Sequence, residues 1–178
     1  MKAAQTVIEC ASRAEPRCGG SVVIGIDGPS GSGKTTLAQA LTDLLGAPVI
    51  HMDDLFPGWD GLAQAAGLLT DQVLRPLACG APAGYRRWDW NTSTWAEWVE
   101  VPGAPVLIVE GCASTVDPAA PFIAARVWVE ADHDTRMIRG IERDGEAYRP
   151  NWERWAAQER ELFGADGTRQ RADLIVRT

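Results

Sequence analysis

The sequence predicts an α/β domain in three layers, with a mostly parallel five-stranded sheet held between helices. Three observations carry that expectation. Short, mainly apolar runs recur at Val22–Ile26, Pro48–Met52, Pro105–Glu110, Arg126–Glu130 and Ala172–Val176, the form taken by strands covered on both faces. Segments with helical apolar spacing lie between them, which implies parallel pairing through right-handed crossovers. A glycine-rich loop, Gly28–Gly33, joins the first run to the first long helical segment.

In order, residues 3–14 fit a short amphipathic helix with Ala4, Val7, Ile8 and Ala11 on one face, ended by Pro16 and Gly19-Gly20. Residues 1–20 are therefore expected to be an N-terminal helical extension. Lys34–Leu45 reads as the helix after the loop, closed by Gly46. Leu62–Leu77 carries apolar residues at helical spacing, interrupted by Gly67. Residues 84–101 alternate aromatic and polar side chains around a turn-like Asn91-Thr92-Ser93, which predicts a hairpin inserted between core strands. Asp134–Arg143 and Asn151–Phe163 read as helices, with Arg149 in the loop between them. With no repeat, linker or low-complexity tract, residues 1–178 are read as one domain.

Composition narrows the function. A chain that is 46% hydrophobic and 23% charged is ordinary for a soluble globular protein. A formal net charge of −7 argues against a nucleic-acid partner. No apolar run approaches the roughly 18 residues that cross a bilayer, and the first twenty residues lack the apolar core of a signal peptide. No membrane partner and a cytoplasmic location are expected. Cys10, Cys18, Cys79 and Cys112 are scattered without a CxxC pair and read as free thiols. Basic residues are nearly all arginine, and the lysines are Lys2 and Lys34 alone.

One of those lysines lies in GPSGSGKT, residues 28–35, which satisfies G-x-x-x-x-G-K-[ST] at Gly28, Gly33, Lys34 and Thr35. Such a loop wraps phosphates with inward-pointing N–H groups, and the following helix adds its positive end. Gly28, Pro29, Ser30, Gly31, Ser32, Gly33, Lys34, Thr35 and Thr36 are the expected nucleotide-binding residues. Lys34 is placed to reach the β- and γ-phosphates, and the Thr35 hydroxyl to ligate Mg²⁺. Thr36 stands where a third glycine would complete a dinucleotide fingerprint, so an NAD site is not supported.

Transfer to a small alcohol needs three further parts: a carboxylate at the acceptor hydroxyl, a second group at the metal, and arginines over the moving phosphate. Asp53 and Asp54 end the second strand at the sheet edge where the loop lies, and one of them is suited to orient or accept the acceptor proton. The alternative is that they cap a turn before Phe56-Pro57-Gly58. His51 reads as a strand-end histidine. Glu110 ends the third strand on the metal side. Arg136, Arg139 and Arg143 share one helix face, either as an arginine lid over 132–150 or as a solvated face paired with Asp132, Asp134, Glu142 and Asp144. Trp88 and Trp90 fit an acceptor pocket or hairpin packing, Trp95 and Trp98 the packing of the hairpin on the sheet, and Trp152 and Trp155 a core.

The order GPSGSGKT, HMDDLF, LIVEG, DHDTRMIRGIERD and ADLIV resembles the uridine kinases and their relatives phosphoribulokinase and pantothenate kinase, over roughly Ser21–Val176. The resemblance implies a P-loop NTPase fold with a substrate-side hairpin and an arginine lid, using ATP and Mg²⁺ to phosphorylate a small-molecule acceptor, a nucleoside above all. It implies that Asp53 is the base toward a sugar hydroxyl. Phe56 shapes a nucleoside pocket, and the Tyr85–Trp90 hairpin segment, with Trp88 and Asp89, contacts base and ribose together with Asp54. It further implies that Thr35, Asp53 and Glu110 face the metal and that Arg136, Arg139 and Arg143 are lid arginines, with Arg136 on the substrate. The chain departs from the family pattern at Asp54-Leu55, at Arg87-Trp88-Asp89-Trp90 and at Arg139-Gly140, where an adjacent arginine pair is usual. A nucleoside monophosphate kinase, with Arg75, Arg86 and Arg87 toward a phosphorylated acceptor, and a nucleotide-binding regulatory ATPase are the rival readings. No N-K-x-D guanine-reading sequence is present.

Overall fold

The computed structural model describes residues 2–145 and 148–178. Glu146 and Ala147, within the expected lid at 132–150, and Met1 lie outside the described residues, as does the side chain of Asp144.

The sheet has five strands in the order β2 (Val49–His51), β5 (Val106–Glu110), β1 (Val22–Asp27), β6 (Ala125–Glu130) and β7 (Leu174–Arg177), and every pairing is parallel. Alternation along the strands divides the interior into two cores, because successive side chains point to opposite faces. On one face Ile24, Ile26, Ile108, Val127 and Val129 meet α1 (Lys2–Ala11) and α2 (Lys34–Leu45). On the other, Val23, Leu107, Val109 and Trp128 meet α3 (Leu62–Leu69), the hairpin and α6 (Arg149–Asp166). Each fully buried Val, Ile or Leu contributes about 1.5–3 kcal/mol.

α1 presents Ala4, Val7 and Ala11 to the first core, as its periodicity predicts. α2 occupies the residues expected of it and ends at Gly46, whose left-handed backbone returns its N–H to Thr42. The expected helix at Leu62–Leu77 is helical throughout but changes form. A wide turn at Thr70–Leu74 separates α3 from α4 (Arg75–Ala78), just before Pro76, which has no N–H to continue the ladder. The hairpin consists of β3 (Ala83–Asp89) and β4 (Thr94–Val101), paired antiparallel with a bulge between Arg86 and Trp88. Its outer tryptophans differ from expectation: Trp98 is 50% exposed and Trp95 meets Trp88 edge-on at 5.1 Å, so both cover the hairpin itself rather than the main sheet.

α5 (His133–Asp144) is capped by Asp132, which accepts the Thr135 N–H. Arg149, expected in a loop, is instead the first residue of α6, since Pro150 fits a first helical turn. No helix among the described residues is long and apolar enough to cross a membrane.

Candidate active site

The phosphate-binding loop leaves the end of β1, at the centre of the sheet. Its first residue, Gly28, has φ +136° and lies so close to β6 that a Cβ would sit 2.1 Å from the Val129 carbonyl oxygen, so no other residue fits. Asp27, fully buried, accepts hydrogen bonds from the N–H groups of Gly28 (2.7 Å), Ala113 (3.0 Å) and Thr115 (2.8 Å) and from the Thr115 hydroxyl (2.9 Å). It thereby ties this loop to the one after β5. Burial pushes its pKa up to about 6 against the pull of those donors and of Lys34.

Lys34 opens α2 and is buried. Its ammonium donates to the Pro29 carbonyl at 2.9 Å and lies 3.6 Å from the Cys112 sulfur. Burial alone would lower its pKa, but the acidic surroundings, Glu159, Glu110 and Asp27 among them, raise it on balance, so it stays charged at neutral pH. Burial holds the Cys112 thiol well above its ordinary pKa, which keeps it neutral.

Parallel pairing brings the ends of β2 and β5 beside the loop, with His51 opposite Glu110. The Thr35 hydroxyl lies 3.2 and 3.3 Å from the two Glu110 oxygens, and His51 Nδ1 lies 2.6 Å from Oε1. That hydrogen bond raises the His51 pKa, although the burial of the ring opposes it. A hydroxyl converging with a carboxylate is a hard-oxygen donor set that suits Mg²⁺, which takes one or two carboxylates and completes its shell with phosphate and water. Among the described residues, no group of three or more His, Cys, Asp or Glu side chains could hold a metal.

A cleft of about 1090 Å³ opens from this point. Its floor is the loop, with Ser30, Gly31, Gly33, Lys34, Thr35 and Thr36 at the surface. Asp53 and Asp54, in a short 3-10 turn directly after β2, form one side with His51 and Glu110. Phe56, Trp59, Trp90, Tyr148 and Trp155 form an aromatic wall, and Arg139 and Arg143 of α5 also line the cleft. The Trp90 indole donates to the Asp53 carbonyl at 2.9 Å, fixing the hairpin tip to the acidic turn.

Four expected acceptor-side residues stand outside the cleft lining. Tyr85 is buried behind Asp54 and donates to its carboxylate at 3.0 Å. Trp88 packs on Trp95, and Asp89 accepts the Asn91 N–H at 2.9 Å to close the hairpin turn. Arg136 lies beneath the loop, donating to the Ser30 carbonyl at 3.1 Å. Gly28, Pro29 and Ser32 supply the loop's frame rather than its open surface.

Residues not foreseen from the sequence complete the cleft: Trp59, Tyr148, Cys112 and Asn151, with Trp155 added to its expected packing role. Trp59 is the hub of the wall, its ring 5.0 Å from Trp90 and 5.3 Å from Tyr148. Cys112 has a legible signal, since it follows Glu110-Gly111 at a strand end beside the loop. The structure also explains one departure in the lid. A Cβ at Gly140 would meet the Tyr148 ring at 2.9 Å and Trp152 at 3.2 Å, which leaves no room for a second arginine.

No protein-family model matches the chain. It is 28% identical over 141 residues to a uridine kinase of Halobacterium salinarum, covering 70% of this chain and 63% of that relative's length. A uridine kinase of Lactobacillus johnsonii is 26% identical over 181 residues, covering 87% and 85%. Among solved structures, a possible uridine kinase from Bacillus stearothermophilus superposes with a TM-score of 0.68 over 99% of this chain and 100% of that one, at 22% identity, and so shares the fold. The chain is thus similar in sequence to uridine kinases and shares the fold of a possible uridine kinase, with the phosphate-binding loop at the end of the central strand.

Proposed function

We propose that the protein transfers the γ-phosphoryl group of ATP to a hydroxyl of a small metabolite, a nucleoside or a molecule of similar size. The observation that carries this reading is the division of charge in the cleft. The cations among its described lining residues, Lys34, Arg139 and Arg143, come from the loop and α5, whereas the turn after β2 and the hairpin tip contribute Asp53, Asp54 and aromatic rings. Phosphoryl transfer rests on positioning and on neutralising charge on the transferring oxygens, which is what the first group supplies. The second suits an uncharged hydroxyl, with Asp53 placed to take its proton.

Thr35, Glu110 and Asp53 are the residues that would hold Mg²⁺, which when bound screens the phosphate oxygens. Lys34 holds the β- and γ-phosphates in this reading, and Arg139 and Arg143 follow the moving group. The aromatic wall excludes water from the reacting atoms and thus favours the acceptor over hydrolysis.

A phosphorylated acceptor is disfavoured by the same charge division. Arg75 pairs with Asp71 at 2.9 Å, Arg87 with Glu97 at 2.7 Å, and Arg86 donates to the Ala96 carbonyl at 2.7 Å, so none of the three lines the cleft. The decisive experiment is ADP release from Mg-ATP with uridine, cytidine, CMP, pantothenate and simple sugars offered singly. Stimulation by an unphosphorylated alcohol is expected. Stimulation by CMP alone, or acceptor-independent hydrolysis at the same rate, would overturn the reading.

A further inference from the structure

Ser30, the third residue of the phosphate-binding loop, is bound on all three of its polar groups by residues that follow β6. Its N–H donates to Glu159 Oε1 at 2.7 Å, its carbonyl accepts from Arg136 at 3.1 Å, and its hydroxyl lies 2.9 Å from that of Tyr148. The Arg136 and Glu159 side chains are 3.7 Å apart and only 11% and 4% exposed, and the guanidinium lies 5.5 Å from the Trp152 ring centre. The next residue, Gly31, has φ +76°, and a Cβ there would meet the Arg136 carbonyl oxygen at 2.3 Å. α5 is therefore seated on the loop by its backbone as well as by its side chain.

A buried carboxylate behind a loop that receives polyphosphate repels the ligand, so nothing in phosphate binding by itself calls for Glu159. What it does is hold a main-chain donor. Charge-assisted hydrogen bonds of this kind are about twice as strong as neutral ones, and burial strengthens them further. Cys112 donates to the same Oε1 at 3.2 Å, which links the carboxylate to the thiol beside Lys34.

We propose that Glu159 and Arg136 are a positioning pair: they latch Ser30, fix the shape of the phosphate-binding loop, and hold α5 in the register that carries Arg139 and Arg143 over it. Arg136 is thereby an anchor of the arginine helix and not a contact to the acceptor. The proposal rests on the reading that the loop holds Mg-ATP, but not on any acceptor.

The test is calorimetric titration with Mg-ATP in the absence of acceptor, together with hydrogen exchange of residues 28–35 followed by mass spectrometry. Glu159→Ala is expected to raise the Kd for Mg-ATP about tenfold, the equivalent of losing one charge-assisted hydrogen bond, and to speed exchange at the loop amides. Glu159→Gln keeps an acceptor oxygen and is expected to recover most of both. Glu159→Ala with affinity within twofold of the unmodified protein and unchanged loop exchange would overturn the latch. If that variant does not fold, Arg136→Met, which removes the donor to the Ser30 carbonyl, carries the test, with an expected loss of affinity of about threefold and faster exchange at the loop amides, and wild-type behaviour overturning the proposal. A protein that binds Mg-ATP but transfers to no acceptor would sink the proposed kinase activity and leave the latch result standing. A protein that binds no Mg-ATP sinks both.

Discussion

The two ends of the cleft are built in opposite ways. The phosphate end comes from one continuous stretch, Gly28–Thr36, whose shape is set by main-chain hydrogen bonds to Asp27, Glu159 and Arg136. The acceptor end is gathered from distant segments: Asp53 to Trp59 after β2, Trp90 at the hairpin tip, and Tyr148 and Trp155 at the start of α6. The first is held by directional bonds with few alternatives, the second by ring packing that tolerates change of shape. A fold built this way can keep its donor chemistry while its acceptor drifts.

That contrast can be broken experimentally, and the largest effect is expected at the phosphate end. Lys34→Ala should lower kcat for ADP release by about a thousandfold, as expected when a charge facing the transferring phosphate is removed. Retained turnover would mean that the loop is not where the reaction occurs. Asp53→Asn tests the other end. Loss of a general base costs about 10²–10⁴-fold in kcat. Full activity would remove Asp53 from the mechanism.

The wall gives a smaller effect. Trp59→Leu is expected to raise the acceptor KM about tenfold while the ATP KM stays within twofold, because its ring packs among those of Trp90, Tyr148 and Trp155. A rise in both would show that the two ends are not separable.

The smallest effect is a reference point outside the cleft. Glu130 accepts from Arg169, Arg177 and the Trp128 indole, and Arg169 above all holds its pKa down to about 2. A carboxyl depressed below its unfolded value of about 4.5 adds stability that is complete above that pH and fades as pH falls through 2. Glu130→Gln should therefore cost about 1 kcal/mol at pH 7, and the cost should vanish below pH 2, in acid titrations monitored by circular dichroism. A cost independent of pH would assign the loss to packing.

The sequence was legible where physics is local. Apolar runs and helical spacing located the core strands and helices to within a few residues, and the loop motif falls where β1 gives way to α2, because both depend on neighbours along the chain. Glu110 and Asp53 could be read from their places at strand ends. Trp59 and Tyr148 could not, since their meeting depends on how the β2 turn and α6 pack against each other, 89 positions apart in the sequence. Helical spacing and the family resemblance both group Arg136 with Arg139 and Arg143. That spacing places a residue on a face, but it does not say that the first turn of the face is occupied by Ser30. Glu159 left no signal at all, being one of several acids on an exposed-looking helix.

Lys34 has a practical consequence. It is the chain's single lysine beyond Lys2, and at 7% exposure its peptide bond is shielded within the first turn of α2. A lysine-specific protease therefore has Lys2 and Lys34 to cut at, and cutting at Lys34 requires the loop and helix start to open. The yield of the fragment beginning at Thr35 becomes a clock for that opening, read without a label, an acceptor or a substitution, and a ligand that fills the loop should slow it in proportion to its occupancy.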